Sequence, residues 1–208
     1  MNYFITGTDT GVGKTYAISL LIRGLRRAGL DSVGMKPVCC GDRMDAELLQ
    51  NASGGEVGID DINPVWLRVP ASPYTASMIE NRIIDLDAVR ERFAKLRKDH
   101  RSLLVEGVGG WLVPLRRDYF VSDLAAEIAL PILVVVRNRL GALNHALLTI
   151  RAIHSSGQQC AGIILNNMDG VADDIVQATT RSMIEELSGV PVLFEIERGQ
   201  TRIELGIA

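Results

Sequence analysis

A glycine- and threonine-rich segment follows a short apolar run and precedes an apolar helix near the start of the chain. Residues 7–15 read Gly-Thr-Asp-Thr-Gly-Val-Gly-Lys-Thr, directly after the run at 2–6. Small residues let consecutive backbone N–H groups point inward around an anion, and the first turn of the following helix adds its positive dipole end. The segment therefore predicts a phosphate-binding loop, in which Lys14 contacts the β- and γ-phosphates of a nucleotide and Thr15 binds Mg²⁺.

The spacing of this loop departs from the common form. In the common form, four residues separate the first glycine from the Gly-Lys-Thr triplet. Here that position, counted back from Gly13, is Thr8, and Gly7 lies one position further upstream. If Gly7 is the anchor, the loop is one residue longer than the common one. A Gly-Lys-Thr triplet also occurs in ordinary strand-to-helix turns, so its meaning here depends on the strand before it and the helix after it.

Composition limits the classes of protein that remain. The chain has 208 residues, of which 47% are hydrophobic and 23% charged, and its net charge is −3. This length supports one substantial core, so we expect a single domain, residues 1–208. No run rich in Lys and Arg appears, which disfavours nucleic acid or an anionic membrane as the main partner. No apolar stretch approaches the roughly 20 residues of a membrane span, and residues 1–4 lead into a strand rather than a signal peptide, so we expect a soluble, cytoplasmic protein.

The three cysteines agree with a reducing compartment. Cys39 and Cys40 are adjacent, which strains a mutual disulfide, and Cys160 is predicted to begin a buried strand. We expect reduced thiols and no cysteine-based metal site, because no second Cys or His stands at ligand spacing.

Strands and helices alternate along the chain. Apolar runs and amphipathic segments predict strands at about 2–6, 33–36, 103–105, 131–136, 160–165 and 190–194, and helices at about 14–28, 87–99, 142–154 and 171–187. A helical start is expected near Asp45, whereas residues 41–80 are the least regular part of the chain. Alternation of this kind is typical of right-handed βαβ units. The sequence therefore predicts an α/β fold with a mostly parallel central sheet flanked by helices.

Polar residues stand at the carboxyl ends of the predicted strands, where open parallel sheets bind their ligands. Lys36 ends the second strand, Asp45 follows shortly after, and Glu106 follows the strand at 103–105. A carboxylate directly after an apolar strand and opposite the phosphate loop favours Glu106 as a Mg²⁺ ligand. From the pattern alone, Asp45 is equally an N-cap or an exposed helix residue, and Lys36 is more simply an exposed lysine at a strand end.

Four segments occur in order between residues 3 and 167. They are residues 7–15, Lys36-Pro37-Val38, residues 105–111 (Val-Glu-Gly-Val-Gly-Gly-Trp) with Pro114-Leu115, and residues 140–146 (Leu-Gly-Ala-Leu-Asn-His-Ala). Together they closely resemble the dethiobiotin synthetase family, which has the same lengthened phosphate loop. The resemblance implies a three-layer fold of the P-loop NTPase type and an enzyme that uses Mg²⁺ and ATP.

The reaction that the resemblance implies is a ring closure in biotin biosynthesis. 7,8-Diaminononanoate and CO₂ form the cyclic urea dethiobiotin, and ATP is converted to ADP and phosphate. One amine takes up CO₂ as a carbamate, the carbamate attacks the γ-phosphoryl group, and the second amine displaces phosphate from the mixed anhydride. The protein positions these groups and neutralises their charge, as in other phosphoryl transfers.

The resemblance also implies roles for individual residues. It places Mg²⁺ on Thr15, Asp45 and Glu106. The catalytic residues are Lys36, Lys14 and Thr10, with the ammonium of Lys36 beside the carbamate anion. The nucleotide-binding residues are Gly11, Val12, Gly13, Lys14, Thr15, Tyr16, Asn166 and Glu195. The substrate-binding residues are Thr10, Lys36, Cys40, Ser72, Gly109, Gly141, Ala142, Leu143 and Asn144.

The start of the helix at 142–154 implies a partner chain. Free N–H groups at a helix start suit a carboxylate, and in the family residues 141–144 reach across a homodimer interface to the carboxylate of the substrate. We therefore expect a homodimer whose small-molecule partners are ATP, CO₂ and 7,8-diaminononanoate. His145 in the same helix is more simply a packing or interface residue.

Two positions and the C-terminal segment depart from the family pattern. Cys40 stands where relatives often carry a serine near the carbamate, and Tyr74 replaces the usual histidine after Ser72-Pro73. After Glu195, residues 196–208 lack the usual proline, which leaves the selectivity for the nucleobase open.

Three other functions share this loop and fold. A related P-loop ligase of the amidotransferase type normally carries a glutaminase domain, for which 208 residues leave no room. A nucleotide-binding regulatory module needs neither Lys36 nor Glu106, and both are present. A partition-type ATPase usually has a second lysine at the start of the loop, where this chain has Thr8.

Overall fold

The fold is built around a six-stranded parallel sheet. The computed structural model of the protein describes residues 1–168 and 175–203. Its strands are β1 (Asn2–Gly7), β2 (Ser32–Met35), β3 (Val38–Cys40), β4 (Val65–Leu67), β5 (Ser102–Gly110), β6 (Pro114–Arg116), β7 (Tyr119–Phe120), β8 (Ile132–Arg137), β9 (Cys160–Asn167) and β10 (Val192–Glu197). The order in the large sheet is β10-β9-β8-β1-β5-β2, and every neighbouring pair is parallel. The predicted α/β fold with a mostly parallel sheet is confirmed.

Helices cover both faces of this sheet. They are α1 (Lys14–Arg27), α2 (Met44–Ala52), α3 (Ile59–Ile62), α4 (Pro73–Ile79), α5 (Leu86–Asp99), α6 (Val121–Ile128), α7 (Ala142–Ser155) and α8 (Ile175–Ser188). Two small sheets lie outside the central one, parallel β3-β4 and antiparallel β6-β7. Across the described ranges, none of the helices has both the length and the apolar character that a membrane crossing requires.

The side chains of the sheet alternate between two apolar clusters, one on each face. On β1, Phe4 belongs to one cluster and Ile5 to the other, because neighbouring residues of a strand point to opposite faces. The Ile5 cluster includes the buried sides of α1 and α2, whereas the Phe4 cluster includes those of α5, α6 and α7. The three layers that result are helix, sheet and helix.

Helix α1 shows how local sequence sets these layers. Ala17, Ile18, Leu21 and Leu25 recur at helical spacing and are fully buried against the sheet. The helix ends at Arg27, and Gly29 then has φ +80°. The backbone N–H of Leu30 donates to the carbonyl of Leu25 at 3.0 Å, which closes the last turn.

The central position of β1 places the loop that follows it. The chain passes from β1 to β2 and β5 on one side of the sheet, and then to β8, β9 and β10 on the other side. Ligands of open α/β sheets bind where the strand order changes direction in this way. The loop after β1 therefore lies between the carboxyl ends of β5 and β8, at the point where the sheet opens a crevice.

The structure corrects several sequence-based bounds. The irregular passage at 41–80 contains α2, α3, β4 and α4, which are short elements with weak periodicity. Strand β2 ends at Met35, so Lys36 follows it. The last strand runs from Val192 to Glu197 rather than from 190 to 194, so Glu195 lies within the strand. Of the helix predicted at 171–187, residues 171–174 lie outside the described residues, and the rest is α8.

Helix α6 was not predicted from the sequence. It begins directly after the short hairpin β6-β7, and the carboxylate of Asp123 accepts a hydrogen bond from the backbone N–H of Phe120 at 2.7 Å. Eight residues give too few turns for a clear helical period, so tertiary packing decides this element.

Candidate functional site

The predicted phosphate loop connects β1 to α1. Gly11 and Gly13 have φ +73° and +93°, in the left-handed region that favours glycine. Gly13 is the N-cap of α1, and within the described residues no side chain caps this helix. Its first N–H groups are therefore available to an anion. Nζ of Lys14 donates to the carbonyl of Asp9 at 3.1 Å, so the lysine side chain crosses the loop.

The loop lies against the end of β9. Nδ2 of Asn166 donates to the carbonyl of Val12 at 2.8 Å. A Cβ added to Gly13 would lie only 2.2 Å from the same nitrogen, which is well inside contact distance. Glycine at this position thus serves both the turn and the close approach of Asn166, and the amide of Asn166 helps to fix the loop.

Three oxygen-bearing side chains meet behind the loop. Oγ1 of Thr15 lies 2.7 Å from Oδ1 of Asp45 and 2.9 Å from Oε1 of Glu106. A hydroxyl has one proton and donates fully to one acceptor at a time. Oε2 of Glu106 is buried and has no hydrogen-bond partner within 1–168 and 175–203.

This set fits a divalent cation. Two carboxylates and a hydroxyl are the hard oxygen ligands that Mg²⁺ takes, usually with waters and substrate phosphates completing its shell. The unpartnered oxygen of Glu106 and the crowded hydroxyl of Thr15 are groups that a cation would satisfy. The described residues contain no cluster of three or more His, Cys, Asp or Glu side chains that competes as a metal site.

Lys36 lies between the two carboxylates. Its Nζ is 2.6 Å from Oε1 of Glu106 and 2.7 Å from Oδ2 of Asp45, and the residue is 3% exposed. Burial by itself would lower the pKa of Lys36, but the charges of Glu106 and Asp45 outweigh burial and raise this pKa above its usual value. Burial also opposes the charge on Asp45, yet Lys36 holds the pKa of that carboxyl below its usual value. Lys36 and Asp45 are therefore charged, whereas at Glu106 burial outweighs the attraction of Lys36 and raises the pKa of that carboxyl above its usual value.

Lys14 has a different electrostatic environment. Burial lowers the pKa of its ammonium to about 8, and the carboxylate of Glu106 only partly opposes this effect. Its Nζ has no short ion pair among the described residues, in contrast to Lys36, so the phosphates of a nucleotide would supply the missing negative charge.

A cavity of about 720 Å³ joins these groups. Most of the residues that the sequence assigned to the site line it, including catalytic, nucleotide-binding, metal-binding and substrate-binding candidates. They are Thr10, Gly11, Gly13, Lys14, Thr15, Tyr16, Lys36, Cys40, Asp45, Ser72, Glu106 and Gly109. Gly109 and Thr10 are close together, because a Cβ added to Gly109 would lie only 3.3 Å from Oγ1 of Thr10.

Several lining residues were not predicted from the sequence. They are Cys39, Asp42, Leu48, Pro70, Ala71, Pro73, Val108 and Val113. Leu48 lies one helical turn after Asp45, a spacing that could have indicated it. For the others, proximity to a predicted residue is the only signal.

Three predicted nucleotide-binding residues do not line this cavity, namely Val12, Asn166 and Glu195. Asn166 is 2% exposed and contacts the loop through its amide. Val12 is 3% exposed and its side chain belongs to the apolar cluster around Ile5, so its role is limited to the backbone. Glu195 is exposed on β10, and its carboxylate pairs with Arg181 at 2.5 Å. Its contact with a nucleotide remains a prediction.

The segment at 141–144 also lies apart from the cavity of its own chain. Gly141 is the N-cap of α7, Ala142 is buried, and Asn144 is exposed. Leu140, directly before this segment, is 85% exposed. The arrangement leaves the polar side chain of Asn144 and an apolar residue together on the surface.

The cysteines in the cavity are protonated thiols. Burial raises the pKa of Cys39 to about 12 and the pKa of Cys40 to about 11. Neither thiol is therefore an activated nucleophile near neutral pH. Cys40 is left as a weak hydrogen-bonding group on the cavity wall.

Comparison with known proteins defines the class first. A family model described as an AAA domain matches residues 1–201. The cell-division protein MinD of Aquifex aeolicus has a similar fold, with a TM-score of 0.59, 16% identity and coverage of 94% of this chain and 81% of that chain. A ParA family ATPase from Chlorobium tepidum has a TM-score of 0.55 and 12% identity, covering 95% of this chain and 83% of that one. At such identities the structures show the fold alone, and with the loop they place the chain among the P-loop NTPases.

Relatives by sequence define the family. The ATP-dependent dethiobiotin synthetase BioD of Akkermansia muciniphila is 44% identical over 206 residues, which cover 99% of this chain and 96% of that protein. The proteins of the same name from Anaeromyxobacter dehalogenans and Methanocaldococcus jannaschii are 45% and 35% identical, covering 82% and 91% of this chain and 78% and 91% of their own lengths. The chain belongs to the ATP-dependent dethiobiotin synthetase family, and the resemblance read from the sequence is confirmed.

Proposed function

We propose that residues 1–208 form a single ATP-binding synthetase domain that acts in the cytoplasm, in biotin biosynthesis. Its reaction converts 7,8-diaminononanoate, CO₂ and ATP into dethiobiotin, ADP and phosphate. Family membership supports this proposal, and one geometric observation carries it. Nζ of Lys36 lies within 2.7 Å of carboxylate oxygens of both Asp45 and Glu106, in the cavity that the phosphate loop also lines.

The loop and α1 bind the phosphates of ATP. The free N–H groups at the start of α1 and the ammonium of Lys14 surround the β- and γ-phosphates. Because the protein supplies these groups in fixed positions, they neutralise charge as it moves toward the leaving oxygen. Thr10, within the loop, and Gly109, on β5, line the same cavity close to one another and position the acceptor.

Thr15, Asp45 and Glu106 are the residues that would hold Mg²⁺. When bound, the ion supplies positive charge to the oxygens of the transferring phosphoryl group. The side chains contribute their three converging oxygens, and Glu106 contributes a buried oxygen that has no other partner in the described part of the chain.

Lys36 binds the carbamate. An ammonium has three N–H donors, and two of them are used by Asp45 and Glu106. The third donor and the positive charge stabilise the carbamate anion, which otherwise loses CO₂ easily. The two carboxylates hold the lysine rigidly, so the carbamate oxygen is kept close to the γ-phosphoryl group that it attacks.

A single assay tests this function. Purified protein should release phosphate from ATP only when 7,8-diaminononanoate and bicarbonate are both present, and dethiobiotin should accumulate in equal amount. Phosphate release that ignores 7,8-diaminononanoate would favour a different P-loop ATPase or ligase. Nucleotide binding without turnover would favour the regulatory module.

The role of Lys36 has its own test. Lys36→Met removes the charge and keeps most of the side-chain volume, so we expect trapping of labelled CO₂ as carbamate to fail while the Kd for ATP changes by no more than about threefold. Lys95→Met is the matched control, because Lys95 pairs with Asp61 on the surface. Normal trapping together with lost ATP binding would make Lys36 a phosphate ligand.

We also propose that the active form is a homodimer in which Asn144 of one chain binds the carboxylate of the substrate in the other. The exposed Asn144 at the start of α7, outside its own cavity, supports this arrangement. Lys14→Ala and Asn144→Ala should each be inactive at low substrate. Mixing them should restore about a quarter of wild-type activity, because half of the random dimers have one intact site of two. No recovery after verified subunit exchange would contradict shared sites.

A further inference from the structure

Beyond the phosphate loop, the strands of the sheet end in a row of polar side chains, three amides and one carboxylate. Asn138 follows β8, Asn166 and Asn167 end β9, and Glu197 ends β10. These three strands are neighbours, on the side of β1 opposite to β5 and β2. A nucleotide whose γ-phosphate points toward Lys36 extends its sugar and base in the opposite direction. In that orientation the base would extend toward the ends of β8, β9 and β10, on the side of the loop away from Lys36.

The side-chain hydrogen bonds along this row all donate in the same direction, from Asn138 through Asn167 to Glu197. Nδ2 of Asn138 donates to Oδ1 of Asn167 at 2.8 Å, and Nδ2 of Asn167 donates to Oε1 of Glu197 at 2.6 Å. The same Nδ2 of Asn138 also lies 3.2 Å from the carbonyl of Gln177 on α8. Both ends of the Asn167 amide are thereby used, and its orientation is set by the donor on Asn138.

The chain of bonds continues to the phosphate loop through the backbone. The N–H of Asn138 donates to the carbonyl of Asn166 at 2.9 Å, and the side chain of Asn166 donates to Val12. Asn138 is 1% exposed and Asn166 is 2% exposed. The end of β9 is thus held between β8 and β10 while it contacts the loop, and Oδ1 of Asn166 is buried with no hydrogen-bond partner in the described part of the chain.

We propose that Asn138 is a positioning residue for nucleobase recognition. Through Asn167 and Glu197 it holds the end of β9 in one register, so that Asn166 presents a fixed hydrogen-bonding edge to the base. The proposal rests on the function proposed above, because it assumes that ATP binds at the loop. It concerns a residue that touches neither the phosphates nor the reacting amines.

The direction of the hydrogen bonds makes a reversal experiment possible. Asn138→Asp replaces the donor by an acceptor and repels Oδ1 of Asn167. If the Asn167 amide rotates, its oxygen faces the carboxylate of Glu197, which also repels it. Glu197→Gln supplies a donor there. In the double variant Asn138→Asp/Glu197→Gln, the glutamine at position 197 can therefore donate to the oxygen of Asn167, and the nitrogen of Asn167 can donate to the aspartate at position 138. The direction of both hydrogen bonds is reversed, and the net charge is unchanged. Glu197→Gln alone keeps an acceptor for Asn167 and should have little effect.

The Kd values for ATP and for tripolyphosphate together separate an effect on nucleobase binding from an effect on phosphate binding. For Asn138→Asp we expect the Kd for ATP to rise about tenfold, while the Kd for tripolyphosphate, which has no base, stays within about twofold. The preference for ATP over GTP should fall by a similar factor, with kcat at saturating ATP nearly unchanged. The double variant should bind ATP at least about threefold more tightly than Asn138→Asp, because the two changes are coupled.

Two results would overturn the proposal. One is an equal loss of affinity for ATP and tripolyphosphate, which would mean a general effect on the loop. The other is unchanged ATP affinity and selectivity in a folded Asn138→Asp protein. If that variant does not fold, Asn138→Ser, which keeps a small polar side chain, is measured in the same way and decides between the same results.

A control at the opposite edge of the sheet excludes simple loss of stability. Ser32 and Ser102 begin β2 and β5, and their buried hydroxyls lie 3.2 Å apart. Ser32→Ala should lower the free energy of unfolding without changing the ratio of the two Kd values. Wild-type protein that fails to bind ATP or to form dethiobiotin would contradict the proposed function instead, so the two failures are distinguishable.

Discussion

The strand ends on the two sides of β1 carry different chemistry. On the side of β2 and β5, buried charges face the cavity, with Lys36 between Asp45 and Glu106. On the side of β8, β9 and β10, the buried groups are the neutral amides of Asn138 and Asn166. Charges in a desolvated site strongly stabilise an anion as it forms, whereas neutral amides mainly determine the orientation in which a hydrogen-bonding group is bound. Under the two proposals above, phosphoryl transfer would take place on one side of β1 and nucleobase recognition on the other.

The two sides also differ in what their burial requires. Buried ions need partners, and removal of one partner from such a pair typically costs about 3–5 kcal/mol. An unmade hydrogen bond to a neutral buried amide costs about 1–3 kcal/mol. The charged side is therefore expected to respond to mutation with larger losses than the amide side.

The strongest test of this comparison is Lys14→Ala. It removes the charge that faces the β- and γ-phosphates, so we expect kcat to fall by about 10²–10³ in the assay of phosphate release. The surface variant Lys95→Ala serves as the control. Near-normal turnover of Lys14→Ala would mean that the charged side does not carry the transfer.

A second test probes the contact between the two sides. Gly11 and Gly13 both have positive φ, but a Cβ on Gly11 meets no atom within 4 Å, whereas a Cβ on Gly13 meets Asn166. We expect Gly11→Ala to lower the free energy of unfolding by about 1 kcal/mol through backbone strain, and Gly13→Ala by about 3 kcal/mol. Denaturant unfolding measures both. Equal losses of unfolding free energy in the two variants would show that the side chain of Asn166 moves aside at little cost, and that the contact between the two sides is weak.

A third test uses pH and has the smallest expected effect. Burial lowers the pKa of Lys14 to about 8, so the free protein loses this charge as pH rises through 8. The protonated form binds phosphates, and ATP affinity measured without Mg²⁺ should therefore fall about tenfold between pH 7 and pH 9. Lys14→Met should flatten this dependence. A wild-type affinity that rises with pH would contradict the assignment.

Prediction from the sequence succeeded where the signal was local. The loop at 7–15 and the helix α1 with its stop at Gly29 both depend on residues within a few positions of one another. Glu106 was expected directly after a strand that ends at Val105, whereas β5 continues to Gly110 and includes Glu106. Prediction was less successful where elements are short, as in the passage at 41–80 and in α6. There the periodicity spans too few turns, and packing decides the conformation.

The candidate site shows the same division. The residue pattern left the role of Asp45 open, and the family resemblance assigned it as a Mg²⁺ ligand. Its ion pair with Lys36 was not predicted, because the separation of the two residues along the chain gives no information about a salt bridge. Cavity residues such as Pro70 and Ala71 had no signal besides their proximity to Ser72. They reach the site through β3 and β4, whose pairing is a long-range contact.

By itself, the sequence determined the phosphate loop, the order along the chain of the six strands that form the central sheet, and the family. These properties depend on residue types at short, regular spacing, which an amino-acid sequence displays directly. Only the tertiary structure decided that Lys36 bridges Asp45 and Glu106, and that Asn138 reaches Glu197 through Asn167. Both arrangements join residues from different strands, so they depend on which strands are neighbours in the sheet. Local periodicity carries no information about that order, because it is settled when the two apolar faces of the sheet are buried together.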